Sequence, residues 1–138
     1  MTQPENLLYT ATVRTSGGRD GASRSSDGRL DVKLSTPGTP GSGSNPEQLF
    51  AAGWSACFAG AVGRAAREMR IALPVEPVID AEVDLNTSDG ACFLRARLKV
   101  SLPGLERESA LRLVRAAHQT CPYSKATRGN IDVAINLV

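Results

Sequence analysis

Hydrophobic and polar positions alternate at both ends of the chain and merge into a long apolar run in the middle. Leu7 to Thr15 (LLYTATVRT) is β-rich with rough alternation and predicts a strand. Gly17-Gly18-Arg19-Asp20-Gly21 reads as a hairpin turn, Ala22 to Ser26 as a weak second strand, and Ser26-Asp27-Gly28 as another turn. Leu30, Val32 and Leu34 alternate with Asp31 and Lys33, which predicts a third strand with one buried face. Ser35 to Ser44 (STPGTPGSGS) reads as a flexible, exposed linker. Beyond the central run, Ile71 to Pro77 is a connector and Val78 to Asn86 a strand. Thr87 to Gly90 is a turn, and Ala91 to Leu102 a long strand with Arg95, Arg97 and Lys99 on its outer face. Arg107 to Thr120 has helical spacing and stops at Pro122. Thr127 to Asn130 is a turn, and Ile131, Val133, Ile135 and Leu137 mark a last strand. The order is βββ-α-ββ-α-β, an α+β layout within a single domain spanning residues 1–138.

The central run, Asn45 to Arg70, predicts one long helix. Asn45 suits the N-cap, Pro46 the first helical position, and Gln48 a capping-box partner. Arg64, Arg67 and Arg70 complement the dipole at the other end. Between Leu49 and Val62 the polar groups are Ser55, Cys57 and the indole N–H of Trp54. Such a helix is expected to be buried on every side, and it is too short to span a membrane. Ala51, Ala52, Gly53, Ser55, Ala56, Ala59, Gly60 and Ala61 leave room for another backbone. Each glycine costs roughly 1 kcal/mol of helix stability, so packing from outside must hold the helix.

Composition excludes several function classes. A net charge of +2 gives no nucleic-acid footprint, and no basic amphipathic helix suggests a membrane surface. The opening MTQPENLLYTATV lacks the pattern of a signal peptide, so a cytoplasmic location is expected. Three cysteines without a CxxC, and one histidine, do not make a zinc site; no metal and no cofactor are expected. An odd number of cysteines in a reducing compartment argues against a structural disulfide framework and leaves catalytic or redox thiols open.

A thiol reacts as thiolate. Cys57 lies about three turns into its helix, beyond the N-terminal dipole, and apolar burial alone would leave it inert. Reactivity needs a neighbouring cation. Arg19, Arg128 and Arg64 are the candidates, with Arg64 ranked last as roughly 10 Å along the axis and on the wrong face. Cys121, at a helix end near a mobile turn, could swing as a resolving thiol or simply cap a core. Cys92, on the apolar face of a strand, reads as core, and His118 carries no assigned chemistry.

NPEQLFAAGWSACF, followed by CPYSKATRGNIDV, resembles the organic hydroperoxide resistance branch of the OsmC/Ohr family. LYTATVRTSGGRDG and DGRLDVKLSTP add to the likeness, which runs from about Leu7 to the C-terminus. The resemblance implies antiparallel sheets wrapped around a long central helix in an intertwined homodimer, with two active sites at the dimer interface. It implies a thiol peroxidase, active in oxidative-stress resistance, that reduces organic and fatty-acid hydroperoxides and draws electrons from dihydrolipoamide or lipoylated proteins. By position, Cys57 matches the peroxidatic cysteine and Cys121 the resolving one. Arg19 matches the arginine that activates the thiolate, and Glu47 the glutamate that holds it. Phe50, Trp54 and Phe58, with the small residues around Cys57, fit a pocket for an alkyl tail. On a straight helix Glu47 and Cys57 are about 15 Å apart. Either the helix breaks near Gly53, or Arg19 and Glu47 meet Cys57 across a dimer interface; the second is favoured. Competing readings are an OsmC-like peroxidase of broader specificity, a lipid or peroxide sensor, and a structural domain with buried cysteines.

Overall fold

The computed structural model describes residues 5–138, so the first four residues of the MTQPENLLYTATV opening, which lacks a signal-peptide pattern, lie outside the described residues. The chain falls into two compact units, one ending at Pro46 and the other spanning Glu47–Val138.

The first unit is a three-stranded antiparallel sheet of β1 (Val13–Ser16), β2 (Ala22–Ser25) and β3 (Asp31–Lys33), in that order. The first strand is shorter than the alternation suggests. Residues 5–12 have no regular structure, and Leu7, Leu8 and Tyr9 are exposed. The β1–β2 connection turns at Gly17, whose φ of 80° is left-handed, and a single 3-10 turn, Gly18–Asp20, follows. At Gly21 a side chain would collide with the Ser16 carbonyl, so the tight turn requires glycine there. Arg19 is thereby presented on this turn. Ser35 to Ser44 is exposed but is a closed loop rather than a free linker. Ser35 N–H donates to Ser44 O at 2.9 Å, Ser44 N–H to Lys33 O at 2.8 Å, and Gly43 N–H to Ser35 Oγ at 2.8 Å. Asp20 ties the hairpin to this loop by accepting from the Thr36 backbone and hydroxyl, both at 2.9 Å.

The second unit sets α1 (Pro46–Met69) and α2 (Arg107–Thr120) in one core with the sheet β4 (Val78–Ser88), β5 (Ala91–Ser101), β6 (Asp132–Leu137). Asp89 and Gly90 both have positive φ, the signature of a two-residue type I′ hairpin, so the turn is tighter than the sequence suggested. β4 and β5 pair antiparallel, whereas β6 runs parallel to β5, which makes this sheet mixed. A parallel neighbour needs a crossover, and α2 supplies its length. Ala96, Leu98 and Val100 of β5 are buried. On the other face β4 is acidic and β5 basic. Arg97 grips Asp84 with both Nη atoms at 2.7 and 2.8 Å and reaches Glu82 through Nε at 2.9 Å.

α1 is unbroken from Pro46 to Met69, so there is no break near Gly53. It ends in a Schellman arrangement: Ile71 N–H donates to Ala66 O at 2.9 Å and Arg70 N–H to Arg67 O at 3.2 Å, with Arg70 at φ 56°. The helix is not buried on every side. Trp54, Phe58, Val62, Ala65 and Ala66 form one buried stripe, while Ala52, Ala56 and Gly60 are exposed. The large side chains choose the face; small apolar residues elsewhere made the sequence look uniformly buried.

Candidate thiol site

Cys57 projects from α1 about three turns in from Pro46. Cys121 sits where two helices meet: its N–H caps α2 by donating to Ala117 O at 2.8 Å, and its carbonyl accepts from Lys125 N–H at 3.0 Å. The second bond belongs to α3 (Pro122–Thr127), a short helix that begins at Pro122. The sequence marked Pro122 only as a stop; it is also a good first residue for a new helix. Cys121 is therefore held between two helices, not beside a mobile turn, and is fully buried.

This arrangement brings the two thiols together. Cys121 Sγ lies 3.3 Å from Cys57 Sγ, with the Cys121 thiol donating. A disulfide is about 2.05 Å long, so bond formation requires only a small approach of the two sulfurs. The pair is asymmetric, since Cys57 is partly accessible and Cys121 is not. An external oxidant can reach Cys57 first. Burial pushes the Cys57 thiol up from its ordinary value, and the neighbouring Cys121 adds to the rise; the hydrogen-bonded backbone amide of Tyr123 pulls it down. Without a cation, then, the local environment favours the thiol over the thiolate.

Tyr123 is a contributor that sequence reasoning missed. Its ring packs on Phe50 at 6.0 Å between centroids, and Phe50 in turn packs on Trp54 at 5.6 Å. Its position in the CPYS motif, directly after the cysteine and proline, was the available signal. Of the three aromatic residues expected to touch substrate, only Phe50 is partly accessible. Trp54 and Phe58 have zero exposure and belong to the core, because their spacing places them on the buried stripe. Cys92, expected in the core, is exposed near the β4–β5 hairpin end.

The candidate cations are distributed differently from expectation. Arg128 donates through Nη2 to the His118 carbonyl. Arg64 lines the same cavity as Cys57, a space of about 200 Å³ completed by Gly60, Ala61, Thr120 and Pro122. The expectation that Arg64 faces away fails on helix geometry: seven residues turn through about 700°, nearly two full turns, which returns Arg64 to the Cys57 face. His118 is half-buried, and its imidazole pKa is lowered by burial and then by Arg128. Among the described residues no cluster of three or more His, Cys, Asp or Glu could hold a metal ion, and no helix is long and apolar enough to cross a membrane.

A family profile described as OsmC-like protein matches residues 38–136. The organic hydroperoxide resistance protein of Xanthomonas axonopodis pv. citri is 48% identical over 141 residues, covering 99% of each chain. The crystal structure of the organic hydroperoxide resistance protein OhrB of Bacillus subtilis superposes with a TM-score of 0.89 at 44% identity, covering 96% of this chain and 100% of that one. A Vibrio cholerae structure, of a putative organic hydroperoxide resistance protein, gives a TM-score of 0.91 at 40% identity over 98% of this chain and 95% of that one. The chain belongs to the OsmC-like family, within its organic hydroperoxide resistance branch.

Proposed function

We propose that this chain is a cytoplasmic thiol peroxidase that reduces organic and fatty-acid hydroperoxides to alcohols and serves resistance to oxidative stress. The observation that carries the reading is the 3.3 Å approach of an accessible Cys57 sulfur and a buried Cys121 sulfur. The Cys57 thiolate attacks the outer peroxide oxygen. An S–O bond forms, the O–O bond breaks, and the departing alkoxide takes a proton to leave as alcohol. Cys57 is left as sulfenic acid. The Cys121 sulfur attacks it, expelling the oxygen as water and closing the disulfide. Dihydrolipoamide, free or on a lipoylated protein, then returns both thiols by exchange and becomes the cyclic disulfide. No bound cofactor is required by these steps.

In this reading Arg19 supplies the cation that the Cys57 environment needs, and Glu47 orients its guanidinium. Phe50, with Tyr123 packed on it, flanks the alkyl group, and Trp54 and Phe58 stand behind them in the core. The working unit is a homodimer of single-domain chains, residues 1–138, in which Arg19 and Glu47 of one copy complete the thiol pair of the other. Two features support a second copy. Ala52 and Ala56 form an open small-residue face on α1, and Leu7, Leu8 and Tyr9 are 83%, 95% and 76% exposed.

Steady-state turnover of tert-butyl hydroperoxide with dihydrolipoamide, on the natural chain and on Cys57→Ser, tests the proposal. Rapid turnover abolished in Cys57→Ser is expected. Turnover untouched by that substitution, or none in the natural chain, would return the protein to the sensor or structural readings.

A further inference from the structure

We propose that Arg64 makes the Cys57 cavity selective for hydroperoxides that carry a carboxylate a short distance from the peroxide group. The inference rests on the peroxidase reading and names a substrate class for it.

Arg64 and Cys57 line one cavity of about 200 Å³. Gly60 is part of its lining, and the surface there is open: a Cβ placed at Gly60 would meet nothing within 4 Å. Arg64 is held at the rim by Glu68, whose carboxylate accepts from Nε at 3.3 Å. That contact uses one edge of the guanidinium. Nη1 and Nη2 have no hydrogen-bond partner among the described residues, and the side chain is 70% exposed. A guanidinium presenting two parallel donors is matched to a carboxylate. By contrast, Nη2 of Arg128 is already engaged by the His118 carbonyl.

Position decides what Arg64 acts on. Its Cα lies about 10 Å along the axis from that of Cys57. The influences on the Cys57 thiol are burial, Cys121 and the Tyr123 amide, and Arg64 is not among them. Arg64 therefore reads the ligand rather than activating the sulfur. The cavity is smaller than the roughly 300–1,000 Å³ of drug-sized sites. It fits a compact ligand with its peroxide at Cys57 and its anion at the rim, not a long tail enclosed along its whole length. A neutral hydroperoxide can use the sulfur but gains nothing from Arg64.

The test compares cumene hydroperoxide with its para-carboxylate analogue on the natural chain, Arg64→Leu and Arg64→Lys. The natural chain should favour the carboxylate by about tenfold in kcat/KM, through KM, with the preference shrinking as salt rises. Arg64→Leu should bring the ratio close to one, and Arg64→Lys should restore part of it. A ratio near one in the natural chain, or one unaltered in Arg64→Leu, overturns the proposal. Binding is read separately, by protection of Cys57 from iodoacetamide by 4-isopropylbenzoate, which has no peroxide. Protection should weaken about tenfold in Arg64→Leu, and equal protection in both chains counts against the anion site. If neither hydroperoxide is turned over yet protection still depends on Arg64, the peroxidase reading falls and the anion site stands.

Discussion

The hydroxyl of Tyr123 occupies the space that a side chain at Gly53 would need. A Cβ at Gly53 would lie 2.5 Å from Tyr123 Oη and 3.0 Å from Cζ. The glycine in the middle of α1 is therefore matched to the aromatic residue of α3, and α3 carries the amide that touches the Cys57 sulfur. Replacing Gly53 by alanine adds about 1 kcal/mol of helix propensity and sets it against a clash with the movable end of a tyrosine. The two effects offset, so stability in urea should shift by less than about 1 kcal/mol. The position of Tyr123 should shift more, and with it the Cys57–Cys121 geometry. Disulfide formation after one equivalent of hydroperoxide, followed by mass spectrometry, is expected to slow several-fold in Gly53→Ala. An unchanged rate would mean that Tyr123 does not help set the thiol pair.

Cys121→Ser separates the two chemical steps. The first step needs only Cys57, which is accessible, so one equivalent of peroxide should still be consumed. The second step loses its sulfur. Cys57 should persist as sulfenic acid, trapped by dimedone as a single adduct, and turnover with dihydrolipoamide should fall by at least about tenfold if the disulfide is the form that the reductant meets. Full turnover without the disulfide would remove Cys121 from the cycle.

Much of this site was legible in the sequence, for identifiable reasons. The period-two runs of β4, β5 and β6 and the helical spacing of α2 survive because large apolar residues occupy one face of each. The pairing of Cys57 with Cys121 came from motif likeness; no spacing argument could have joined residues so far apart. What failed has physical causes as well. α3 is six residues long, too short for periodicity to register. Parallel pairing of β6 leaves no trace in alternation, which is the same for either direction. Cys92 shares a face with Ala96 and Leu98, but it lies at the hairpin end of β5, where the strand is exposed. Trp54 and Phe58 looked available to substrate because nothing in the sequence says which face of an apolar helix meets the core.

The Cys57 pH profile reports whether Arg19 does what is proposed. Burial and Cys121 raise the thiol pKa, so thiolate would form only above the ordinary cysteine range if nothing opposed them. A guanidinium favours thiolate and moves the titration down. The rate of iodoacetamide alkylation at Cys57 should thus reach half its maximum below the ordinary cysteine value in the natural chain. In Arg19→Ala the midpoint should move up by at least about one unit, consistent with loss of a close charge. Coincident profiles would remove Arg19 as the activating group.

His118 gives stability a pH dependence of its own. Burial and Arg128 hold its folded pKa below the usual value of 6.5. In that window the unfolded chain binds more protons than the folded one, so unfolding is favoured as pH falls. The His118 contribution is therefore complete above pH 6.5 and is lost as pH drops from there through the lowered folded value. His118→Gln should flatten the change in urea midpoint between about pH 7 and pH 5, relative to the natural chain. A slope that persists in His118→Gln would place its origin in other groups.

The proposed sharing of residues between copies can be read by complementation. α1 runs unbroken from Pro46 to Met69, so Glu47 and Cys57 on one helix stay about 15 Å apart along the axis. If Arg19 and Glu47 serve the thiol of the other copy, Arg19→Ala and Cys57→Ser are defects in different halves of one site. Each variant alone should be inactive. Unfolded together and refolded as a mixture, about half the dimers contain one copy of each kind. Such a dimer has one site built from an intact Arg19 and an intact Cys57, while its other site lacks both. Turnover should return to about a quarter of that of the natural chain. If both residues came from the same copy, every site in the mixture would still lack one of them, and no activity would return. Refolding each variant alone provides the baseline, and the outcome separates the two arrangements without reference to which hydroperoxide is used.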